Sequence, residues 1–567
     1  MNWKILNPLP AHVQRLEKEF SCSEIIARVM ANRGVESLKQ SQSFFSPSLS
    51  ELHDPFLMKD MDIAVERIIQ NIKNNIPILV FGDYDVDGTT GAAMLTLALS
   101  SVGAEAIPYI PDREKEGYGL SEKGIKYAHS IGATLIITCD CGINAHEMVE
   151  FANSLEINVI ITDHHVPGDT LPAACAVLNP KRYDCTYPFK GLCGGGVALK
   201  LMIALMQKMD IHDQIPPDWL CLISLGTAAD MVPMIEENRV IVHHGLINMP
   251  YTKQPGLKAL LTQEGFEGKV PTVGQLVFWI APKINAAGRL GDAGRSVELL
   301  TTTDKSIGIQ LAHELRLEND KRRTMQEIIV DDAIHMVNAQ FDLSRDFGIV
   351  LAHREWHQGI IGIVASKIKE QFNRPVIVIS IGENGIGRGS ARSIAGFDMY
   401  NALDQSSEWL EGFGGHPMAA GLSIMETNLE SFTKVFLDYV KSQIEESDLN
   451  PTLVLDGNLN LSDINGRFMA FLDKLGPHGP MNMRPKFSIK NIEVKGTPKV
   501  LGPGGDHLKF SAKQSGRTYP AIAFNMSHCY EKLICGTPLD IAVVIEENKW
   551  KGNTTIQLNV RDIIFHA

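Results

Sequence analysis

Three short apolar runs in this chain each end on a cluster of metal-type ligands. Ile78-Leu79-Val80-Phe81 runs into Gly82-Asp83-Tyr84-Asp85-Val86-Asp87-Gly88, Leu135-Ile136-Ile137-Thr138 into Cys139-Asp140, and Val159-Ile160-Ile161-Thr162 into Asp163-His164-His165. Uninterrupted apolar runs of this length are what strands buried on both faces of a parallel sheet look like. Ligands of open α/β sheets bind beyond the carboxyl ends of the strands. The pattern therefore predicts an α/β fold that gathers five carboxylates and two imidazoles on one rim. Like charges packed that closely repel unless cations neutralise them, so divalent metal is expected there.

With 567 residues the chain is too long for a single core. Its 44% hydrophobic and 21% charged content are ordinary for a globular protein. No apolar run reaches the roughly 18 residues of a membrane span, and Met1-Asn2-Trp3-Lys4-Ile5-Leu6-Asn7-Pro8 has no secretory-signal pattern. Nine cysteines without a CxxC pair read as reduced thiols of a cytoplasmic protein, and no membrane partner is expected. The net charge is −13, yet residues 451–567 hold 14 Lys and Arg against 10 Asp and Glu. A local basic surface, rather than the sum, decides whether nucleic acid binds.

The patterning divides the chain into an N-terminal helical segment (1–55), an α/β domain (56–306), a long connecting helix (307–345), a second, smaller α/β domain (346–447) and a β-barrel (448–567). The connecting helix rests on Met325, Ile328, Ile329, Ala333, Met336 and Val337 at helical spacing. The barrel rests on short alternating segments such as Leu453-Val454-Leu455, Phe487-Ser488-Ile489 and Ile541-Ala542-Val543-Val544, broken by Gly and Pro.

Asp85 and Asp87, two apart before Gly88, can reach one metal pair. A further carboxylate, Asp230, follows the apolar Leu225-Gly226-Thr227-Ala228-Ala229. Cys139 and Cys141 flank Asp140 but read as small residues lining a strand end. Gly194-Gly195-Gly196 lacks P-loop spacing and reads as a tight turn before a helix, so no ATP role is expected. Gly389-Ser390-Ala391-Arg392-Ser393 offers backbone N–H groups, hydroxyls and a guanidinium suited to a terminal phosphate. Trp356-His357 reads equally well as a core aromatic beside a capping histidine.

Asp85-x-Asp87, Asp140, the Asp-His-His at 163–165 and Gly-Thr-Ala-Ala-Asp at 226–230 resemble the four motifs of the DHH phosphoesterase superfamily. Trp356-His357-Gln358-Gly359-Ile360-Ile361-Gly362, Gly389-Ser390-Ala391-Arg392-Ser393 and Gly414-Gly415-His416 resemble its accessory DHHA1 domain. Pro282-Lys283-Ile284-Asn285-Ala286-Ala287-Gly288-Arg289-Leu290 and the C-terminal β region narrow the resemblance to the bacterial RecJ family.

The resemblance implies a parallel-sheet DHH domain, a DHHA1 domain and an OB-type barrel. It also implies a metal-dependent exonuclease that degrades single-stranded DNA 5′ to 3′ to mononucleotides in repair and recombination. By motif matching, Asp85, Asp87, Asp140, His164 and Asp230 would hold two Mn²⁺ or Mg²⁺ ions, with Asp83 a further ligand or a neighbour of the ligands. The imidazole among these ligands tilts the choice toward Mn²⁺. His165 would touch the scissile phosphate or protonate the leaving oxygen, with Asp140 beside it at the reacting centre. Arg113, Ser390, Arg392, Gly414, Gly415, His416 and Arg289 would bind the strand, and Lys283 could line its path. In the barrel the candidates for strand contact are Lys509, Phe510, Lys513, Arg517, Tyr519 and Phe524. One departure stands out: Leu475-Gly476-Pro477-His478-Gly479-Pro480 carries histidine where the family's turn has phenylalanine. A RecQ-type helicase and a single-strand-binding protein are the partners the family suggests. Two alternatives remain open at this level: a phosphodiesterase for short oligonucleotides or cyclic dinucleotides, and a non-catalytic strand-binding scaffold.

Overall fold

The computed structural model describes residues 1–113, 115–211, 214–550 and 553–566. Its contacts divide the chain into two compact bodies. The larger comprises residues 3–284, 293–312 and 453–567, and the smaller residues 1–2, 285–292 and 313–452.

The larger body is built on five parallel strands: β1 (Ile78–Gly82), β2 (Ala106–Tyr109), β3 (Leu135–Cys139), β4 (Asn158–Thr162) and β5 (Ala176–Leu178), in the order β2-β1-β3-β4-β5. Every residue of β1 and β3 is buried, which is why these strands read as unbroken apolar runs. Three helices that matter for the site are α1 (Val86–Ser101), α2 (Gly194–Lys208) and α3 (Pro217–Ala229). Each is buried nearly all round, so its sequence shows little amphipathic period. The strand order reverses between β1 and β3, the kind of crevice where open α/β sheets bind their ligands.

The C-terminal part of this body is a closed barrel. Strands β12 (Phe487–Leu501), β13 (His507–Gln514), β14 (Arg517–Ala523), β16 (Asn553–Phe565) and β15 (Leu539–Trp550) pair in that order, and β12 pairs again with β15. The short β11 (Gly457–Asn458) adds to β12 in parallel. The N-terminal helices Pro10–Phe20 and Glu24–Asn32 are part of this barrel's core. Val13, Leu16, Ile26 and Val29 share one apolar cluster with Phe487, Ile489, Phe510 and Ile541. Arg33 Nη1 adds an ion pair to Asp456 Oδ1 at 2.7 Å. The N-terminal segment thus folds with residues more than four hundred positions away, a pairing that local sequence patterning does not encode.

The barrel is also anchored to the parallel-sheet region. Arg239, on α4 (Glu236–Asn248), donates to the carbonyls of Phe44, Leu475, Gly476 and Pro477 at 2.7–3.1 Å and lies 4.0 Å over the Phe44 ring. Burial pushes this guanidinium down to about 10, and carbonyl dipoles stand where a carboxylate would normally compensate the charge. Met234 N donates to Pro480 O at 2.8 Å, so the same barrel turn touches the segment that follows Asp230.

The long helix α5 (Lys305–Gln340) leads into the smaller body. There β6 (Ile349–His353), β7 (Val376–Ile381), β8 (Ile386–Arg392), β9 (Gly412–His416) and β10 (Ala419–Met425) form a mixed sheet in the order β9-β10-β8-β7-β6. One apolar cluster joins Ile377, Leu422, Phe432 and Phe436, and another joins Ile329, Ala333 and Val337 of α5 to Leu351, Trp356 and Val364. Trp356 is 4% exposed and donates to Asp332 Oδ2 at 2.8 Å, the position of a core aromatic. Among the described residues, no helix is long and apolar enough to cross a membrane.

Candidate metal centre

Gly82 of β1 pairs with Cys139 of β3, and Cys139 with Thr162 of β4, so the three strands end at one level. The residue after each stays on the ladder. Asp83 N donates to Cys139 O at 3.1 Å, Asp140 N to Thr162 O at 2.9 Å and Asp163 N to Leu178 O at 3.1 Å. Asp140 then turns with a φ of 63°, the left-handed region that Asp tolerates better than most residues with a side chain.

The helices bring the remaining groups. Asp85 caps α1, one oxygen accepting from Asp87 N at 2.9 Å and Gly88 N at 3.1 Å, which leaves its second oxygen for another partner. Asp230 caps the far end of α3. The ligand atoms of Asp87, His164 and Asp230 lie within 4.8 Å of one another, as do those of Asp83, Asp85 and Asp140, and those of Asp140, His164 and His165. His164 Nε2 is 3.1 Å from Asp140 Oδ1 and 3.5 Å from Asp230 Oδ2.

The electrostatics fit divalent cations. Asp83 Oδ1, Asp140 Oδ1, Asp230 Oδ2 and His164 Nε2 are buried and, among the described residues, take part in no hydrogen bond. Burial first, and then the neighbouring carboxylates, push Asp83, Asp87, Asp140 and Asp230 above the usual carboxylate range. Burial pushes His164 down to about 3, leaving a neutral imidazole able to ligate. Buried carboxylates facing one another around a neutral imidazole need a positive partner, and mixed oxygen and nitrogen donors suit Mn²⁺ or Mg²⁺.

Asp163, the first residue of the Asp-His-His motif, does something else. Its Oδ1 accepts from His164 N at 2.7 Å and His165 N at 3.1 Å and lies 2.8 Å from His165 Nδ1, while Oδ2 accepts from Ile143 N at 3.0 Å. Burial pushes Asp163 up, but these hydrogen bonds and the imidazole's charge outweigh it and hold the carboxyl below its usual range. For His165 burial pushes down, and Asp163 more than reverses it. His165 Nδ1 is thereby committed to Asp163, whereas His164 points its Nε2 between two carboxylates.

Sequence reasoning singled out neither Asp163 alone nor Tyr118. The Tyr118 hydroxyl donates to Asp140 O at 3.2 Å and lies 3.4 Å from His165 Nδ1, with the side chain largely exposed. Its ring sits edge-on to Tyr84, and Arg113 lies 5.0 Å over the Tyr84 ring. The available signal was Gly117-Tyr118-Gly119, an aromatic between two glycines that both adopt positive φ. Cys139 and Cys141 are fully buried with thiols pushed up by burial, as inert lining residues should be.

In the smaller body, Ser390 and Arg392 lie on β8. Arg392 donates to Ser390 Oγ at 2.9 Å and Ser366 Oγ at 3.1 Å, and a side chain at Gly362 would lie 3.1 Å from both Arg392 Nη2 and Ser390 Oγ. Gly414, Gly415 and His416 are exposed on the edge strand β9. Arg289 donates to Gly359 O at 3.1 Å. Lys283 is not placed to line a substrate path: it is buried, paired with Glu264 at 2.9 Å and bonded to Trp279 O at 2.6 Å. The barrel candidates also separate. Phe510 is core, Tyr519 donates to Ile464 O, and Lys513 pairs with Glu493, whereas Lys509, Arg517 and Phe524 are exposed.

Family models match the chain in three places: the N-terminal domain of the DHH family over residues 77–227, the DHHA1 domain over 346–442 and the RecJ OB domain over 455–562. The single-stranded-DNA-specific exonuclease RecJ of Bacillus subtilis is 35% identical over 566 residues, covering 99% of this chain and 70% of that protein. That of Escherichia coli is 35% identical over 564 residues, covering 95% of each. The crystal structure of RecJ from Thermus thermophilus in complex with Mn²⁺ superposes with a TM-score of 0.85 at 28% identity, covering 100% of this chain and 80% of that one. Strand-end carboxylates, domain order and near-full-length identity agree, and this chain belongs to the RecJ family.

Proposed function

We propose that this chain hydrolyses single-stranded DNA from its 5′ end and releases mononucleotides, in the service of DNA repair and recombination. The observation that carries the reading is the convergence of Asp83, Asp85, Asp87, Asp140, His164 and Asp230 on one rim, beside the Asp163–His165 pair. Asp85, Asp87, Asp140, His164 and Asp230 would hold two Mn²⁺ or Mg²⁺ ions, with Asp83 beside them. When bound, such a pair neutralises a phosphodiester's charge and lowers the pKa of the attacking water.

The chain's own residues do the rest. His165, oriented by Asp163, presents its other ring nitrogen to the scissile phosphate and gives its proton to the leaving oxygen. Arg113, Ser390, Arg392, Arg289, Gly414, Gly415 and His416 are the residues assigned to the strand. Exposed Lys509, Arg517 and Phe524 on the barrel combine cations with a stacking face, as strand-binding barrels do. A substrate of single strands has to be unwound and kept open, so a helicase and a single-strand-binding protein are the fitting partner classes, in the cytoplasm.

Digestion of single strands labelled at either end, with Mn²⁺ or Mg²⁺, tests the reading. Early release of labelled mononucleotide from the 5′ label, with the 3′ label retained until late, is expected. Activity confined to dinucleotides would favour the smaller-substrate phosphodiesterase, and binding without cleavage would favour a scaffold.

A further inference from the structure

Gly194-Gly195-Gly196 is no loose turn: it opens α2 on top of the metal carboxylates. Cys193 caps this helix, accepting from Gly196 N at 3.3 Å, with its sulfur 3.2 Å from Thr227 Oγ1 of α3. Gly195 N lies 3.2 and 3.3 Å from the two oxygens of Asp87. The glycines are required by contact. A Cβ at Gly194 would stand 2.5 Å from Asp140 Cβ and 2.7 Å from its Oδ1, the buried oxygen that accepts no hydrogen bond. A Cβ at Gly195 would stand 3.0 Å from Asp87 Oδ1, and one at Gly226 of α3 only 2.6 Å from the same oxygen. Asp87 is therefore boxed by two helices at positions without side chains.

Resting on the two-ion reading above, we propose that Gly195 and Cys193 are positioning residues of the metal centre: the Gly195 N–H holds the Asp87 carboxylate in the orientation that would bind an ion together with His164 and Asp230, and Cys193 fixes the helix start that presents it. Backbone N–H groups at a helix N-terminus stabilise an anion, and groups bonded to metal ligands typically tune affinity about 10–100-fold. The arrangement also explains why this strand-end site needs glycine where a nucleotide loop does not follow.

The test is Mn²⁺ binding to the full chain, followed by the electron paramagnetic resonance of free Mn²⁺, alongside kcat and KM on a single-stranded oligonucleotide. Cys193→Ala should weaken Mn²⁺ binding about 10-fold and lower kcat at limiting metal, with KM for the strand unchanged. Cys193→Ser, which keeps a donor and acceptor, should restore binding to within about 3-fold of the parent. Gly195→Ala should lose one of the two bound ions. Equal Mn²⁺ affinity in Cys193→Ala and the parent, or an affinity loss that serine does not restore, would overturn the inference. A parent chain that binds no Mn²⁺ pair would instead overturn the two-ion reading itself.

Discussion

Asp163 Oδ1 lies 2.8 Å from His165 Nδ1, so the residue that opens the Asp-His-His motif orients its last imidazole. The carboxylate is fully buried, is satisfied on both oxygens and, among the described residues, belongs to none of the metal-type clusters. Asp163→Asn should keep the two Mn²⁺ ions, because it removes no ligand, yet lower kcat by about 10²-fold or more. Single-turnover kinetics with a Mn²⁺ titration checks this. Loss of metal in that variant would place Asp163 among the ligands.

Ser390 and Ser366 hold the Arg392 guanidinium beside a helix start that lacks a side chain at Gly362. A charge-assisted fork of this kind recognises phosphate. Arg392→Ala should raise KM about 10-fold for a 5′-phosphorylated strand and far less for a 5′-hydroxyl strand, a loss of about 1.4 kcal/mol of discrimination. Comparing the two substrates in one assay checks it, and equal losses on both would contradict the assignment.

Arg239 satisfies five backbone carbonyls, those of Phe44 and of Lys474 through Pro477, from two distant segments of the larger body. Arg239→Met leaves these acceptors buried without donors and should destabilise this body by about 3 kcal/mol. Urea unfolding measures this, and a change under about 0.5 kcal/mol, typical of surface substitutions, would contradict it.

His478, in the turn Gly476-Pro477-His478-Gly479, is pushed down to about 4, first by burial and then by the positive charge of Arg484. The unfolded chain takes up a proton near pH 6.5, and the folded chain resists it until about pH 4. Folded stability therefore falls as pH drops through this window, by at most about 3 kcal/mol. His478→Phe should show a flatter loss of Tm between pH 7 and pH 5. Parallel curves for variant and parent would contradict the linkage.

Much of this was legible because buried parallel strands leave an unambiguous signature. Leu135–Cys139 has no polar face to confuse the period, so its end, and Asp140 with it, could be located from the sequence. The α/β core and the strand-end carboxylates follow from that logic, whereas the barrel came from its short alternating segments and the ligand set from the family motifs. What was not legible depends on direction or on distance along the chain. Strand position cannot tell that Asp163 turns toward His165 while Asp140 faces His164. The glycine triplet announced a helix, but nothing local says that its N-terminus meets Asp87, 108 residues before Gly195. The same holds for Val13 and Leu16, whose apolar faces are completed by Phe487 and Ile541. Lys283 left a path-lining and a structural role almost evenly open in the sequence, because its partner, Glu264, is 19 residues away on another element.

The central claim is a pair of ions caged by Asp85, Asp87, Asp140, His164 and Asp230. Anomalous diffraction from crystals soaked in Mn²⁺ tests it most directly. Two anomalous peaks inside that cage, with Asp163 touching neither, are the result expected. A single peak, or peaks away from His164 and Asp230, would contradict it.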